Sequence, residues 1–513
     1  MSLTSLPFLL LAAGAALLYW LAPKKWRWPV LLAASWGFYL CCGLRAAAWL
    51  LFTTLTAYGA GRLLAMLCER QKGAERAEKD ALTRKKRLVV FVTLLLNFGG
   101  LFFAKYWNDT AVLLGGWLKT ALPRFDLLLP LGLSFYMFQS MGYVVDCYRG
   151  RGCEKNLLRF ALFVSFFPQL VQGPISRFGE LGNELFRERD FCADDLKYGI
   201  ERMLWGYFKK LVLADRAAVA VQTVFAAPEK YGGLFTAFAV LLYCVQLYCD
   251  FSGGIDVSIG VAQLFGVRLT ENFRRPIFAR SLSEYWRRWH ITLGSWMRDY
   301  LFYPLTLSKP FVRLGKWSRR RFPGMLGKVI PTSLATLIVY LVIGVWHGAG
   351  AKYFVFGLYN GLLMTLALLL AGRFRQVKTR LGVGEQKWYR AFELLRTMGI
   401  VFVGRYLTRA DDLRAALNAL WKTVRHPCLY QLSDGTFSGL GLAGRDWLAL
   451  ALGLVLLLFV EWRQEKGVEI RRTLETKSAL IQWLVILAAL LVLLFFGILR
   501  DPAIRAEFIY RQF

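Results

Sequence analysis

Two tryptophan-histidine pairs, Trp289-His290 and Trp346-His347, are the residues of this sequence best suited to chemistry. Only three histidines occur among its 513 residues, and two of them lie in or beside strongly apolar sequence. Histidine can take up or release a proton near neutral pH. An ionisable residue in a membrane segment is costly to place there and is a functional candidate by default. The pattern therefore favours proton-transfer chemistry at His290 and His347 over two histidines satisfied by backbone carbonyls alone.

Long apolar runs must position these histidines. Hydrophobic residues make up 56% of the chain, and runs such as Leu448–Val460 and Leu480–Leu499 recur along it. A helix of about 20 residues spans a bilayer core of about 30 Å. We predict an all-α, polytopic integral membrane protein with about 11–14 transmembrane or re-entrant helices. Residues 234–250 and 254–267 are predicted as two separate spans within it.

The basic residues are distributed in a way that predicts orientation. The net charge is +31, and the Lys and Arg residues gather between apolar runs. The clusters are 24–27, 70–87, 309–321, 373–390 and 463–477. Basic loops stay on the cytoplasmic side and suit the anionic inner leaflet. We predict a multi-pass protein with its N-terminus and C-terminal tail outside, membrane lipid as a partner, and no nucleic acid, because no nucleic-acid-binding motif accompanies the charge.

This orientation predicts different surroundings for the two histidines. His290 lies in an amphipathic stretch rich in Arg and Trp that leads into the basic cluster at 309–321. His347 follows an apolar run that leaves the same cluster, about 28 Å of helix beyond Lys328. We therefore expect His290 to face the cytoplasm, and His347 to lie deep in the membrane or toward the outside.

Other polar and sulfur-containing residues favour structural roles. Nine cysteines are scattered without metal-ligand spacing, and no HExxH motif occurs, so we predict neither a metal site nor a disulfide framework. Asp250 and Asp256 are carboxylates in apolar sequence. We predict that Arg274 or Arg275 pairs with them as a structural brace, although a role in ordering a substrate path is the alternative.

Five segments in order together resemble the membrane-bound O-acyltransferase (MBOAT) family, and in particular its bacterial branch that contains the alginate O-acetylation membrane subunit. The similarity extends over most of the chain. The segments are PLGLSFYMFQSMGYVVDCYRG (130–150), FFPQLVQGPISRF (166–178), QLYCDFSGGIDVSIG (246–260) with ENFRRPI (271–277), SLSEYWRRWHITLGSWMRDYLFYPL (281–305) and VIGVWHGAG (342–350).

The resemblance implies a single membrane domain over 1–513, with its core motifs at about 127–372 and extra C-terminal spans at about 391–499, built around a central tunnel. It implies that His347 is the near-invariant histidine and that His290 is a second polar position of the site. Members move an acyl group from a cytoplasmic thioester toward an acceptor outside. Alginate-type members commonly carry a glycine-rich turn where this chain has Leu305–Lys309, so acyl transfer is implied but alginate itself is not.

The chemistry of acyl transfer assigns roles to these residues. The attacking hydroxyl must lose a proton and the developing oxyanion must be stabilised, and we expect His347 to be the base, although an acyl-enzyme relay is also open. Trp346 and Trp289 are expected to contact substrate or wall the tunnel, with membrane-interface anchoring as the alternative. Arg287, Arg288 and Arg298 are expected to bind the phosphates of a coenzyme A donor, or else to anchor the helix at lipid headgroups. We therefore predict two catalytic residues, His347 and His290, and five substrate-binding residues, Trp346, Trp289, Arg287, Arg288 and Arg298.

The sequence thus predicts an O-acyltransferase of the bacterial plasma membrane. We expect acetyl-CoA or another thioester as donor, no bound cofactor, and an extracytoplasmic polysaccharide or peptidoglycan as acceptor. A separate exported acetyltransferase is the expected protein partner. The alternatives are D-alanyl transfer from a carrier protein to teichoic acid, and a transporter without chemistry, which the scarcity of intramembrane Asp, Glu and His disfavours.

Overall fold

Helices form all the regular secondary structure of the residues that the computed structural model describes, which are 2–125 and 130–498. No strand occurs in those two ranges, so the all-α class is confirmed. The α-helices are α1 (Leu6–Leu21), α2 (Arg27–Leu40), α3 (Leu44–Gly73), α4 (Arg76–Leu118), α5 (Leu133–Tyr148), α6 (Leu157–Ser165), α7 (Phe167–Leu170), α8 (Phe178–Phe186), α9 (Ala193–Tyr207), α10 (Asp215–Ala226), α11 (Gly233–Gln263), α12 (Leu282–Arg288), α13 (Ile291–Met297), α14 (Tyr303–Thr306), α15 (Lys309–Arg321), α16 (Met325–His347), α17 (Ala351–Arg380), α18 (Lys387–Arg409), α19 (Leu413–Arg425), α20 (Gly444–Glu465), α21 (Ile470–Glu475) and α22 (Ala479–Phe496).

Shorter elements connect these helices. Two π-helical segments occur, Phe208–Ala214 between α9 and α10, and Arg298–Phe302 between α13 and α14. The 3₁₀ turns are Lys24–Trp26, Pro276–Phe278, Leu429–Leu432 and Thr436–Leu440. The predicted C-terminal tail lies mostly outside the described residues.

Six of the described helices are long and apolar enough to cross a membrane. They are α3, α4, α11, α16, α17 and α22. Six described helices of this length and hydropathy confirm the predicted class of polytopic membrane protein. The larger predicted number of spans, which includes re-entrant segments, and the central tunnel stay predictions.

The chain forms two compact units. The first comprises Met1–Trp205 and Gly254–Thr270, and the second comprises Gly206–Gly253 and Glu271–Phe513. In the first unit α3 packs against α4 and α5, and α2 packs against α1 and α6. Here a buried chain of hydrogen bonds joins the segments at 130–150 and 166–178: Gln169 donates to Gln139 at 2.9 Å, and Ser176 donates to Gln169 at 3.0 Å. The polar residues of the family segments at 130–150 and 166–178 therefore stabilise the first unit.

The second unit is built around a tight pair of helices, α16 and α17. Their backbones approach at two glycines: a Cβ atom on Gly344 would lie 2.5 Å from the Tyr353 carbonyl oxygen, and one on Gly357 would lie 2.5 Å from the Tyr340 carbonyl oxygen. Small residues permit such close approach between membrane helices. The α18 helix packs on α17, and its C-terminal part joins α19 around Phe356, Leu407 and Ala416.

The prediction of two spans at 234–250 and 254–267 is wrong, because α11 continues through the Gly253-Gly254 pair. A Cβ atom on Gly253 would lie 2.8 Å from the Gly206 carbonyl oxygen, and one on Gly254 would lie 2.5 Å from Gln172 Oε1. The two glycines therefore allow close packing on both of those neighbours. They do not end the helix.

The predicted partners of Asp250 and Asp256 are also wrong. In the second unit Asp250 accepts from buried Lys210 at 2.6 Å, and Lys210 also pairs with Asp215 at 2.8 Å. In the first unit Asp256 pairs with Arg202. A structural role is nevertheless supported for both carboxylates, because a buried charge needs a paired, hydrogen-bonded partner.

Two of the nine cysteines are paired. The sulfur atoms of Cys147 and Cys153 form a disulfide across six residues. The other cysteines, Cys41, Cys42, Cys68, Cys192, Cys244, Cys249 and Cys428, are free thiols. This one short crosslink joins the end of α5 to the turn that follows it and does not make a disulfide framework.

Candidate active site

A sharp corner between α12 and α13 positions His290. The α12 helix begins with Ser281 as its N-cap, whose side chain accepts from the Glu284 N–H at 3.2 Å. It ends at Arg288, and His290 then adopts a left-handed conformation with φ 48° and ψ 53°. This conformation is uncommon for residues other than glycine, although His is among the residues enriched in it. His290 is 3% exposed, so its side chain lies inside the second unit, and its predicted position on the cytoplasmic side stays a prediction.

The segment that begins at Asn272 holds this corner in place. The Ile291 N–H donates to the Asn272 carbonyl oxygen at 2.9 Å, and the Arg274 N–H donates to the Arg288 carbonyl oxygen at 2.9 Å. The Asn272 side chain is completely buried beside the corner. These contacts span the two sides of the turn and offset the cost of the left-handed residue.

The Asn272 side chain also fixes the tautomer of His290. Its Oδ1 atom accepts from the Thr292 backbone N–H at 3.0 Å, which identifies that atom as the acceptor. His290 Nδ1 lies 3.3 Å from the same oxygen, so Nδ1 carries the proton and donates. The Nε2 atom then carries the lone pair. Burial lowers the pKa of His290 to about 3, so this ring is neutral at physiological pH.

The second histidine ends a different helix. His347 is the last residue of α16, and Gly348 follows it with an extended backbone. A Cβ atom at Gly348 would lie 2.3 Å from the Tyr353 ring, so only glycine allows that ring to close over the end of the helix. The His347 ring lies 5.8 Å from the Phe356 ring and 6.4 Å from the Tyr353 ring, between centroids. The start of α17 therefore surrounds His347 with aromatic side chains.

Both histidines line one pocket of the second unit. Its volume is about 70 Å³, the scale of a few water molecules or a small acyl group. The two histidines therefore meet at one site, although each has its own local environment, and their predicted depths in the membrane stay predictions. The lining residues are Tyr243, Leu247, Trp286, Trp289, His290, Leu293, Gly294, Tyr340, Ile343, His347, Tyr353, Phe356, Arg405 and Thr408.

The two tryptophans of the sequence pairs also lie at this site. Trp346 contacts both histidines, with ring centroids 6.1 Å from His290 and 4.8 Å from His347. Trp289 lines the pocket and packs edge-on against Phe273 at 5.0 Å. Both tryptophans are buried. Trp289 forms part of the pocket wall, whereas Trp346 is not among the lining residues and packs against the rings of the two histidines.

The three arginines predicted to bind phosphate lie outside the pocket lining. Arg288 pairs with Glu284 at 2.6 Å and with Glu465 at 2.8 Å. Arg287 donates to Ser283 at 2.9 Å, and Arg298 pairs with its neighbour Asp299 at 3.0 Å. The ion pairs of Arg288 connect α12 to the end of α20, which supports a structural role for this residue.

Arg405 is the site residue that the sequence analysis missed. It lies on α18, is 5% exposed and lines the pocket. Its Nη2 atom donates to the Tyr285 hydroxyl at 2.7 Å, and its guanidinium carbon lies 5.0 Å from the centroid of the Trp289 ring. The available signal was a cation amid the apolar residues of a predicted span, which marks a functional candidate by itself.

Comparisons with known proteins show which family the chain resembles. The model of MBOAT, the membrane-bound O-acyltransferase family, matches residues 151–319. The chain is 31% identical to a probable alginate O-acetylase of Azotobacter vinelandii over 86% of this chain and 80% of that protein. It is 30% identical to a peptidoglycan O-acetyltransferase of Helicobacter pylori over 55% of each chain.

The chain belongs to the membrane-bound O-acyltransferase family. It is therefore an enzyme, a membrane O-acyltransferase that uses an acyl donor in a lipid environment. A third relative, a teichoic acid D-alanyltransferase of Bacillus subtilis, is 26% identical over 47% of this chain and 60% of its own. The apolar helices and bacterial relatives indicate a multi-pass bacterial membrane protein. For this acyltransferase, the transporter alternative is set aside.

Proposed function

We propose that this acyltransferase takes acetyl groups from cytoplasmic acetyl-CoA for the O-acetylation of an extracytoplasmic polysaccharide or peptidoglycan, with His347 as the catalytic base. The observation that carries the proposal is the single pocket lined by both His347 and His290. The names of the relatives with 30–31% identity, an alginate O-acetylase and a peptidoglycan O-acetyltransferase, support acetyl as the group and a carbohydrate polymer as the acceptor.

His347 suits the role of base better than His290. It is only partly buried, so an incoming hydroxyl can reach it, and it lines the same small pocket as His290. A general base contributes about 10²–10⁴-fold when its protonation state fits the working pH. His290, neutral and held by Asn272, presents the Nε2 lone pair and serves as the second polar group of the site.

The reaction divides into two proton transfers around one acyl transfer. His347 takes the proton of the attacking hydroxyl as its oxygen bonds to the thioester carbonyl carbon. The carbon–sulfur bond then breaks, and the thiolate leaves with the proton that His347 returns. The aromatic walls formed by Trp289, Tyr340 and Phe356 limit water in the pocket, which reduces hydrolysis of the thioester.

The proposed setting is the bacterial plasma membrane with the N-terminus outside and the basic clusters inside. A separate exported acetyltransferase is the proposed partner that passes the acetyl group to the polymer. Exposed Arg287 and Arg298 then lie where lipid or donor phosphates are within reach of their guanidinium groups.

The test measures coenzyme A release and protein labelling with radiolabelled acetyl-CoA, using the purified enzyme in nanodiscs. We expect the wild type to consume the thioester and His347→Ala to lose at least about 100-fold. His426→Ala is the matched control, because His426 is an exposed residue after α19 and does not line the pocket. Thermal unfolding of each variant checks that the fold is intact.

Two outcomes would contradict the proposal in different ways. If His347→Ala retained wild-type activity, the assignment of the base would be wrong. If the wild type left acetyl-CoA intact but accepted D-alanine from a carrier-protein thioester, the donor would be wrong and the D-alanyl alternative would replace it.

A further inference from the structure

Arg405 places a permanent positive charge in a small, largely aromatic pocket. Of the described residues that line this pocket, Arg405 alone is always charged at neutral pH. It is 5% exposed, and it comes from α18, whereas the histidines come from the α12–α13 corner and from α16. A buried charge is costly to maintain, so its position beside both histidines needs an explanation.

The guanidinium group is held in a defined orientation. One face lies over the Trp289 ring, with the guanidinium carbon 5.0 Å from the ring centroid. The Nη2 atom donates to Tyr285 at 2.7 Å, and the Tyr285 and Trp289 rings stack at 5.7 Å with an interplanar angle of 14°. A guanidinium has five N–H donors in a rigid fork. It can therefore hold Tyr285 and an oxygen atom in the pocket at the same time.

A second donor lies in the same lining. Trp286 lines the pocket, and its indole N–H is buried with no hydrogen-bond acceptor among the residues that the structure describes. Buried N–H groups of native proteins are nearly always paired with protein, water or ligand. An oxygen atom brought by a substrate would supply the missing acceptor.

We propose that Arg405 is a catalytic residue that, together with the Trp286 N–H, binds the carbonyl oxygen of the acyl donor. As the acceptor oxygen bonds to the carbonyl carbon, the electron pair of the C=O bond moves to this oxygen and gives it a negative charge. Arg405 stabilises that charge until the C=O bond reforms and the thiolate leaves. This inference rests on the proposed function, because it takes the pocket as the place of acyl transfer.

The alternative is that Arg405 only braces the wall of the pocket through Tyr285. Tyr285→Phe separates the two roles, because it removes the hydroxyl that accepts from Arg405 and leaves the charge in place. Arg405→Gln removes the charge from a side chain that keeps polar atoms. Arg405→Lys keeps the charge and loses the fork, and Trp286→Phe removes the N–H and keeps an aromatic ring.

The experiment compares kcat and KM of these variants by coenzyme A release from acetyl-CoA in nanodiscs. We expect Arg405→Gln to lower kcat by about 10²–10³-fold with a KM near that of the wild type, the effect of losing an oxyanion donor. Arg405→Lys should recover part of this loss. Trp286→Phe should lose about tenfold, as for one neutral hydrogen bond. Tyr285→Phe should stay within a few-fold of the wild type.

Three results would overturn the inference. Folded Arg405→Gln with wild-type kcat would remove any catalytic role. A loss in Tyr285→Phe equal to that in Arg405→Gln would assign Arg405 to bracing alone. A wild type that cleaves neither acetyl-CoA nor a D-alanyl thioester would refute the proposed function and this inference together. If the wild type cleaves acetyl-CoA and Arg405→Gln is equally active, the role of Arg405 is refuted and the proposed function stands.

Discussion

At the scale of single residues, the two histidines differ more in environment than in sequence context. Both follow a tryptophan, yet His290 is buried in a left-handed corner and His347 ends a helix with partial exposure. Asn272 orients one ring through its carbonyl oxygen, and aromatic residues of α17 surround the other. The environment of each histidine is therefore a property of the neighbours that folding supplies.

The pKa of His290 predicts a pH dependence of stability. Burial lowers that pKa to about 3, whereas an unfolded histidine titrates near 6.5. The unfolded chain therefore binds a proton below about pH 6.5 that the folded protein does not bind. The stability is fully present above that pH and falls toward pH 3, by about 1.4 kcal/mol per pH unit.

His290→Asn isolates this contribution, because Asn does not titrate and tolerates the left-handed conformation. We expect the Tm of the wild type in detergent to fall more steeply between pH 6.5 and 4.5 than the Tm of the variant. Parallel curves for the two proteins would contradict a neutral, buried His290.

At the scale of secondary structure elements, the α16–α17 pair determines where His347 lies. Gly344 and Gly357 let the two backbones approach, and Gly348 lets Tyr353 cover the end of α16. A glycine beside His347 can allow either close approach of a substrate or close packing of helices. For Gly348 the structure supports packing, since the Tyr353 ring occupies the space that a side chain would need.

Gly357→Ala tests this packing. The new methyl group would lie 2.5 Å from the Tyr340 carbonyl oxygen, so the helices must separate, and overpacking of this kind costs about 1–3 kcal/mol. Gly372→Ala is the control, because it lies on the same helix with no atom within 4 Å of the added Cβ. We expect a lower Tm for Gly357→Ala and an unchanged or higher Tm for Gly372→Ala. Equal changes in Tm for the two variants would show that helix propensity, and not overpacking at Gly357, determines the effect of the substitution.

At the scale of the whole molecule, charge distribution predicts orientation in the membrane. The α17 helix ends in a basic segment, which the positive-inside rule predicts to be cytoplasmic, and after α18 the same rule predicts that residues 407–445 lie outside. Many of these basic side chains are exposed, as expected for residues at the membrane surface or in water. The orientation of the N-terminus follows from the same rule and stays a prediction.

Reporter fusions test this orientation. A chain truncated after Gly384 and fused to alkaline phosphatase should be inactive, because the basic side faces the cytoplasm, whereas a fusion after Gly435 should be active. Fusions to green fluorescent protein should give the opposite pattern at the same two sites. Reversed activities would place the N-terminus inside.

The sequence by itself determined the membrane class, most helix positions and the choice of histidines. These properties depend on the length of apolar runs and on side-chain chemistry, which are local. Tertiary structure decided that His290 and His347 share a pocket, that Lys210 and Arg202 pair with the buried carboxylates, and that Arg405 joins the site. Such pairings connect residues that are far apart in the chain. Because many residues of opposite charge could pair with a given buried charge, the sequence alone does not select the partner. Only the packing of helices, down to the glycines that allow it, selects among them.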